Sequence, residues 1–566
     1  MPSPSFPEPP DAVPATPRAD LDAKLERLAT RKKEWLGVSL AARIGFLRRC
    51  LDGIVAVSER WVAAGCRIKG ISPSETLAGE EWLAGPVATA RNVRLLIEAL
   101  EQQGRPRVPK MTTRRDGQTV ARIFPQSMQD RAMFGGFTAD VWIERGKSPT
   151  QGAIYSGPPT GLGKVALVLG AGNVSSIAPM DAIYKLFVEN EVVLLKMNPV
   201  NESIGPLLEE ALRSLVDDGF LAFAYGGAEV GAYLADHPSV DTLHVTGSDR
   251  TYDAIVWGAD AAEQERRKKA NDPKNRRPFT AELGCVTPVL VVPGPWSAAD
   301  MEFQARHVAS MVAQNASFNC NAAKVLVTAK GWLQRARFLE LVDDALKRTP
   351  PRKAYYPGAE KRYDAFVAKY PQARAVGARG EHVVPWTVIP DVASTEGEYA
   401  LTNEAFCGVL AEVSLDADDA PSFLRAAVDF ANDRCWGTLS CAVFVHPATE
   451  RDHADAVDEA VARLRYGGIG VNCWPAIVYA LGVTTWGAFP GHPPTDIRSG
   501  AGVVHNALLF DHPEKSVVRA PFRIRPTPAW FADHKNLAEV GRRLLAQEAH
   551  PSWGGVMRVA GAAIKG

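Results

Sequence analysis

From Lys164 onward the chain alternates between two kinds of segment, and this alternation limits its fold more than any other feature. Short apolar runs of β type (Val165 to Leu169, Val192 to Leu195, Thr242 to Val245) are separated by stretches with helical spacing (Asp181 to Glu189, Leu207 to Val216). Strands of about five residues, apolar throughout and spaced by helices, assemble into a parallel sheet with helices packed over it. The same alternation returns after Cys320 and ends at Gly468-Ile469-Gly470-Val471-Asn472. The fold class is therefore α/β, and 566 residues suffice for two or more domains.

Upstream, Leu40, Ile44, Leu47, Leu51, Ile54 and Val55 recur at helical spacing, so residues 21 to about 103 are expected as amphipathic helices. Between 138 and 160, Val141-Trp142-Ile143 and Ala153-Ile154-Tyr155 flank Gly146, Pro149 and Gly152, which suggests a hairpin. Residues 1–20, rich in Pro, Ala and Ser, are expected to be a disordered tail. Pro521, Pro526, Pro528 and Pro551 interrupt the last segment, 486–566, which receives no role.

Charge narrows the partners. Lys and Arg number 64, as do Asp and Glu, so no global field draws nucleic acid or an anionic membrane. The basic run Arg266, Arg267, Lys268, Lys269, Lys274, Arg276, Arg277 has no interleaved aromatics and is read as a solvated insertion. Eight scattered cysteines with no Cys-x-x-Cys pair, and no His-Glu-x-x-His, leave no metal site to expect. The first residues carry no signal-peptide pattern and no apolar run of about eighteen residues occurs, so a cytoplasmic protein without a membrane span is expected.

Two glycine-rich stretches invite nucleotide readings. Gly157 to Lys164 is one residue too long for a P-loop, and its Lys precedes Val165, so NTPase chemistry is rejected. Gly170-Ala171-Gly172-Asn173-Val174-Ser175 lies between a strand and a helix but ends in Ser where a dinucleotide fingerprint has its third glycine. Cys320 is the candidate nucleophile, set in Phe318-Asn319-Cys320-Asn321-Ala322-Ala323-Lys324 just before the apolar Val325-Leu326-Val327.

Around Cys320 stand Phe279-Thr280-Ala281-Glu282-Leu283-Gly284, Asn403-Glu404-Ala405-Phe406 and Thr246-Gly247-Ser248. In this order and spacing they resemble the aldehyde dehydrogenase superfamily over residues 21 to about 500. The resemblance implies a nicotinamide-binding open α/β domain (21–137 and 161–283), a catalytic α/β domain (284–485) and an oligomerisation hairpin (138–160). It implies Cys320 as nucleophile, Glu282 as the base that admits water, and Asn173 as a donor to the substrate oxygen. For NAD or NADP it implies Lys196 at the adenosine ribose, and Gly247 and Ser248 at the pyrophosphate. Leu283, Glu404 and Phe406 are expected at the nicotinamide end.

Three departures stand out: Cys285 where a second glycine follows Glu-Leu-Gly, Cys407-Gly408 in place of Gly-Pro, and Ala171-Gly172-Asn173 in place of Pro-Trp-Asn. The expected activity is oxidation of an aldehyde to a carboxylic acid by a homo-oligomer. The alternatives are transfer of the acyl group to CoA and a related scaffold without catalysis.

Overall fold

The computed structural model describes residues 12–157 and 161–566. Its first sheet has the strand order Gly500–Ala501, Phe279–Leu283, Thr242–Gly247, Val165–Leu169, Val192–Lys196, Leu221–Ala224. All neighbours are parallel except Gly500–Ala501, a short antiparallel strap on the Glu282 strand. The Val165–Leu169 and Val192–Lys196 strands are buried along their whole length, as expected for strands covered on both faces.

The second sheet has eleven strands. Its centre is parallel: Pro513–Arg519, Gly468–Val471, Ser440–Phe444, Pro288–Val291, Val325–Ala329, Val409–Leu415 and Trp386–Ile389. Arg374–Val376 closes one end, and Thr138–Ile143, Thr119–Phe124 and Lys110–Thr113 extend the other, all antiparallel. Cys320 precedes a central strand of this sheet and Glu282 sits in the other sheet, so the site forms where the two sheets meet.

Three sequence expectations are corrected here. The antiparallel partners of Thr138–Ile143 are Thr119–Phe124 and Pro513–Arg519, and Ala153–Tyr155 is a single 3-10 turn. The reason lies at Gly152, whose φ of +62° and approach to the Gly104 carbonyl turn the chain out of any strand. Residues 158–160 of that segment lie outside the described residues.

Second, part of the expected tail is ordered. Val13 donates its N–H to Glu202 Oε1, Thr16 pairs with the Tyr225 backbone, and a helix begins at Arg18; residues 1–11 lie outside the described residues. Third, the segment after 486 completes both sheets. It supplies the strap Gly500–Ala501 and the strand Pro513–Arg519, while Lys110–Thr113 and Thr119–Phe124 leave the coenzyme half for the long sheet.

The chain then folds back on its beginning. Helix Leu537–Ala549 packs on the helices Gly79–Trp82 and Ala88–Glu101, and its buried Glu548 pairs with Arg91 at 2.7 Å and with Arg94 at 2.7 Å. The basic run is likewise tied in: Arg267 to Glu263, Lys268 to Asp253, Lys274 to Asp236, Arg276 to Asp272.

Candidate active site

Helix Ala298–Ala313 begins at a capping box made by Ser297 and Asp300. Just past its end, Asn315, Ala316 and Ser317 take φ values of 52°, 54° and 70°. Left-handed backbone at non-glycine residues costs about 1–2 kcal/mol each, so a turn of three must be fixed by its surroundings. Asn315 does this. Its Nδ2 donates to Asn173 O (3.0 Å), Phe318 O (3.1 Å) and Asn319 Oδ1 (3.0 Å), and its Oδ1 accepts from Tyr355 Oη at 2.9 Å. Its backbone N–H goes to Glu80 Oε2, itself paired with Arg352.

The turn delivers Cys320 to a half-buried position. Its carbonyl accepts from Thr287 Oγ1 and from Lys324 Nζ, both at 3.0 Å. Lys324 is almost fully buried. Its ammonium also holds Asn319 O, Ala322 O and, at 3.1 Å, Glu404 Oε1. One cation thus ties the Cys320 loop to a second candidate residue.

Glu282 comes from the other sheet, in register with Thr246 on one side and Gly500 on the other. Its Oε1 lies 3.4 Å from Cys320 Sγ, while its Oε2 is buried without a partner. Burial, reinforced by the neighbouring Asp181, pushes the Glu282 carboxyl up to about 8. Burial pushes the Cys320 thiol well above its usual range, with the Glu282 charge adding to the rise and Lys324 opposing it. Glu282 therefore loses its proton first, and the carboxylate so formed is placed to accept the thiol proton.

Asn173 is buried, and one N–H of its Nδ2 goes to Phe318 O at 2.9 Å, two residues before Cys320. Lys196, at the carboxyl end of its strand, is buried, and its ammonium forms no hydrogen bond or ion pair among the described residues. Burial lowers it to about 8, against the opposing charge of Glu202. Gly247 and Ser248 are exposed at the end of the Thr242–Gly247 strand, where Ser248 caps helix Asp249–Val256 by accepting from Thr251 N. Leu283 keeps its side chain in the core, and its N–H is held by Ser499 O at 2.8 Å.

Glu404 also accepts from Cys285 N at 3.2 Å and packs so close over Gly284 that a Cβ there would meet its Oε2 at 1.9 Å. Phe406 takes φ 42°, and its ring packs edge-on against Tyr356 with centroids 5.0 Å apart. The sequence departures find room: Cys285 lodges against Gly437, and at Gly408 any Cβ would strike Trp386 at 2.4 Å. Geometry thus brings Cys320, Glu282 and Asn173 to one centre and links Glu404 to it through Lys324. Lys196, Gly247 and Ser248 lie along the strand ends of the first sheet. Sequence reading passed over Lys324, Asn315, Tyr355, Thr287 and Asp181, since none stands in a recognisable spacing; their partners come from distant segments.

The strand order, the cysteine before a central strand and the glutamate facing it can now be set beside known proteins. Residues 157–359 match the model of the aldehyde dehydrogenase family. That stretch is similar to the aldehyde dehydrogenase family, and the fold of the whole chain is the one its solved members share. Aminoaldehyde dehydrogenase 2, peroxisomal, of Malus domestica is 24% identical over 327 residues, 55% of this chain and 56% of that protein. The two curated relatives matched are covered over only 30% and 56% of their lengths. Among solved members of the superfamily, the aldehyde dehydrogenase of Mycobacterium tuberculosis complexed with NAD+ aligns at a TM-score of 0.60 and 18% identity, over 88% of this chain and 89% of that one. The NADP-dependent glyceraldehyde-3-phosphate dehydrogenase of Bacillus halodurans C-125 complexed with NADP aligns at 0.60 and 16%, over 92% and 95%. Among the described residues, no helix is long and apolar enough to cross a membrane, and no cluster of His, Cys, Asp or Glu could hold a metal ion.

Proposed function

We propose that this protein oxidises an aldehyde to its carboxylic acid with NAD or NADP, using Cys320 as nucleophile and Glu282 as base. The observation that carries the reading is the 3.4 Å contact between Cys320 Sγ and Glu282 Oε1, made by side chains from two different sheets in a pocket that leaves Oε2 without a partner. A purely structural pair in so dry a place would be expected to satisfy both oxygens.

The chain offers groups that fit a nicotinamide cofactor. Lys196 keeps a free ammonium at a strand end, and Gly247 and Ser248 open a helix N-terminus, an arrangement suited to ribose hydroxyls and phosphate. Glu404 and Phe406 would border its nicotinamide end. Solved relatives complexed with NAD+ and with NADP support this assignment.

Cys320 gives its proton to the Glu282 carboxylate, and the sulfur attacks the aldehyde carbon to form a C–S bond. The oxygen gains charge, which the second N–H of Asn173 and the Cys320 backbone N–H are assigned to meet, each worth about 3–4 kcal/mol. A nicotinamide held by Lys196, Gly247, Ser248, Glu404 and Phe406 would supply the hydride acceptor that oxidation to a Cys320 thioester requires. Once the first proton has passed to solvent, Glu282 takes a proton from water as the water oxygen bonds to the acyl carbon. The C–S bond breaks, the acid leaves, and the sulfur is reprotonated.

An aldehyde panel, read by the absorbance of the reduced cofactor with and without CoA, tests the reading. Acid formed without CoA is expected. Acyl-CoA formed only on CoA addition would overturn hydrolysis, and no turnover or cofactor binding at all would leave a scaffold. Glu282→Gln is expected to accumulate a Cys320 thioester visible by intact mass.

A further inference from the structure

The face of the first sheet that carries Glu282 is polar where a covered parallel sheet is normally apolar. His244 and Thr246 project from one strand beside Thr280 and Glu282 on the next, in the register pairs His244 with Thr280 and Thr246 with Glu282. Helix Ile177–Phe187 covers this face and contributes Asp181, and strand Val503–His505 contributes His505. Asp181, His244, Glu282 and His505 are all essentially excluded from solvent.

The donors in this pocket are unequally shared. Asp181 Oδ2 accepts from Thr246 Oγ1 at 2.8 Å and lies 3.3 Å from His244 Nε2, while Oδ1 lies 3.5 Å from His505 Nε2 without closing a hydrogen bond. His244 is itself oriented by Thr280 Oγ1 at 2.9 Å. Glu282 Oε2 has no donor, and the Trp486 indole N–H faces this carboxyl without closing a bond. The other titratable groups at hand are Cys320, on Oε1, and Tyr479, whose hydroxyl is taken by Ser176 and whose ring packs on His505 at 4.7 Å.

Two carboxyls in one dry pocket cannot both ionise cheaply, and the charge settles where the donors are. We propose that Asp181, held by Thr246 and flanked by the His244 and His505 imidazoles, is a positioning residue that carries the pocket's fixed negative charge and so keeps the proton on Glu282 in the resting protein. This rests on the assignment of Cys320 and Glu282 above and adds the group that sets when that base becomes available. The direction of the perturbation agrees: burial drives Asp181 up, but His244 and His505 together bring it below the ordinary carboxylate range, while Glu282 is driven up. No atom of Asp181 need touch substrate.

Alkylation of Cys320 by iodoacetamide reads this without any aldehyde, since the other seven cysteines are buried. Full-length protein is titrated from about pH 6 to 10 and Cys320 adducts are counted by intact mass against Cys320→Ala. The wild-type rate is expected to inflect near pH 8. Asp181→Asn is expected to lower that inflection by about one unit, and to lose this effect in the Glu282→Gln background because the coupling runs through Glu282.

If Asp181→Asn folds poorly, His505→Gln carries the test, with the inflection expected to fall by about half a unit because Asp181 holds its charge less well without the neighbouring imidazole. An inflection blind to both variants, or shifted equally with and without Glu282, overturns the assignment. A Cys320 inert at every pH overturns it together with the proposed function, whereas normal shifts without aldehyde turnover overturn only the function.

Discussion

Lys324 Nζ stands 3.1 Å from Glu404 Oε1 and 3.0 Å from the Cys320 carbonyl, so one buried ammonium holds both the loop of the proposed nucleophile and the glutamate proposed for the cofactor. Removing it leaves a carboxylate and three carbonyls short of a donor. Lys324→Met is expected to cost about 3 kcal/mol, measured by denaturant unfolding, and to lower Cys320 alkylation at fixed pH because the nearest cation is gone. Unchanged stability would show that the ammonium is dispensable.

Cys320→Ala is expected to abolish oxidation of every aldehyde while leaving cofactor binding intact, as read by quenching of protein fluorescence. Asn173→Ala should lower kcat by about 100-fold with a smaller change in KM, because its second N–H matters most once charge has formed on oxygen. An Asn173 variant with unchanged kcat would remove it from that role.

The rate of acid formation should rise with pH and level off above about 8, where Glu282 has lost its proton. Stability should run the other way. Between the ordinary carboxyl range and about 8 the folded form holds a proton that the unfolded chain has already released, so stability falls as pH rises through that window. Glu282→Gln should flatten this fall, which melting curves at a series of pH values will register.

Glu202 is expected to bear on the choice between NAD and NADP. Pro199 stands three residues after Lys196 and offers no carboxylate there, and the charge that acts on Lys196 comes from Glu202. That carboxylate is held by the Val13 N–H at 3.2 Å. Both NAD and NADP are expected to serve, and Glu202→Gln should raise kcat/KM for NADP relative to NAD by about tenfold, or 1.4 kcal/mol. A ratio that does not move would place Glu202 outside the ribose contact.

Glu548 is buried between Arg91 and Arg94, and Arg91 also donates to the Leu481 carbonyl at 2.7 Å. Glu548→Gln is expected to cost about 3 kcal/mol by leaving the buried Arg91 without its counter-charge and Arg94 with Glu98 alone, and to lower Tm at unchanged Cys320 alkylation. A matching loss of alkylation would mean that the clasp also shapes the site.

The parallel strands Val165–Leu169 and Val192–Lys196 could be read from sequence because being buried on both faces imposes a nearly continuous apolar run. Cys320, Glu282 and Asn173 stood out because their neighbours in sequence recur together. The hairpin partner was misread because Ala153-Ile154-Tyr155 is as apolar as a strand, while the contact of Gly152 with Gly104 that bends it involves a residue 48 positions away. Lys324, Asn315 and Asp181 were missed for a related reason: a buried polar residue is explained by partners such as Glu404, Tyr355 and His505, and nothing local marks which distant residue that will be.

The position of Pro513–Arg519 between Thr138–Ile143 and Gly468–Val471 bears on how the protein is made. During synthesis some 370 residues emerge after Ile143 before the strand that will join it to the rest of the sheet appears. Until then the nascent chain carries two open edges that can only wait or pair wrongly with other chains. A product that ends early, even one with Cys320, Glu282 and Asn173 all in place, keeps those edges and should aggregate, so its last segment governs yield before it governs anything else.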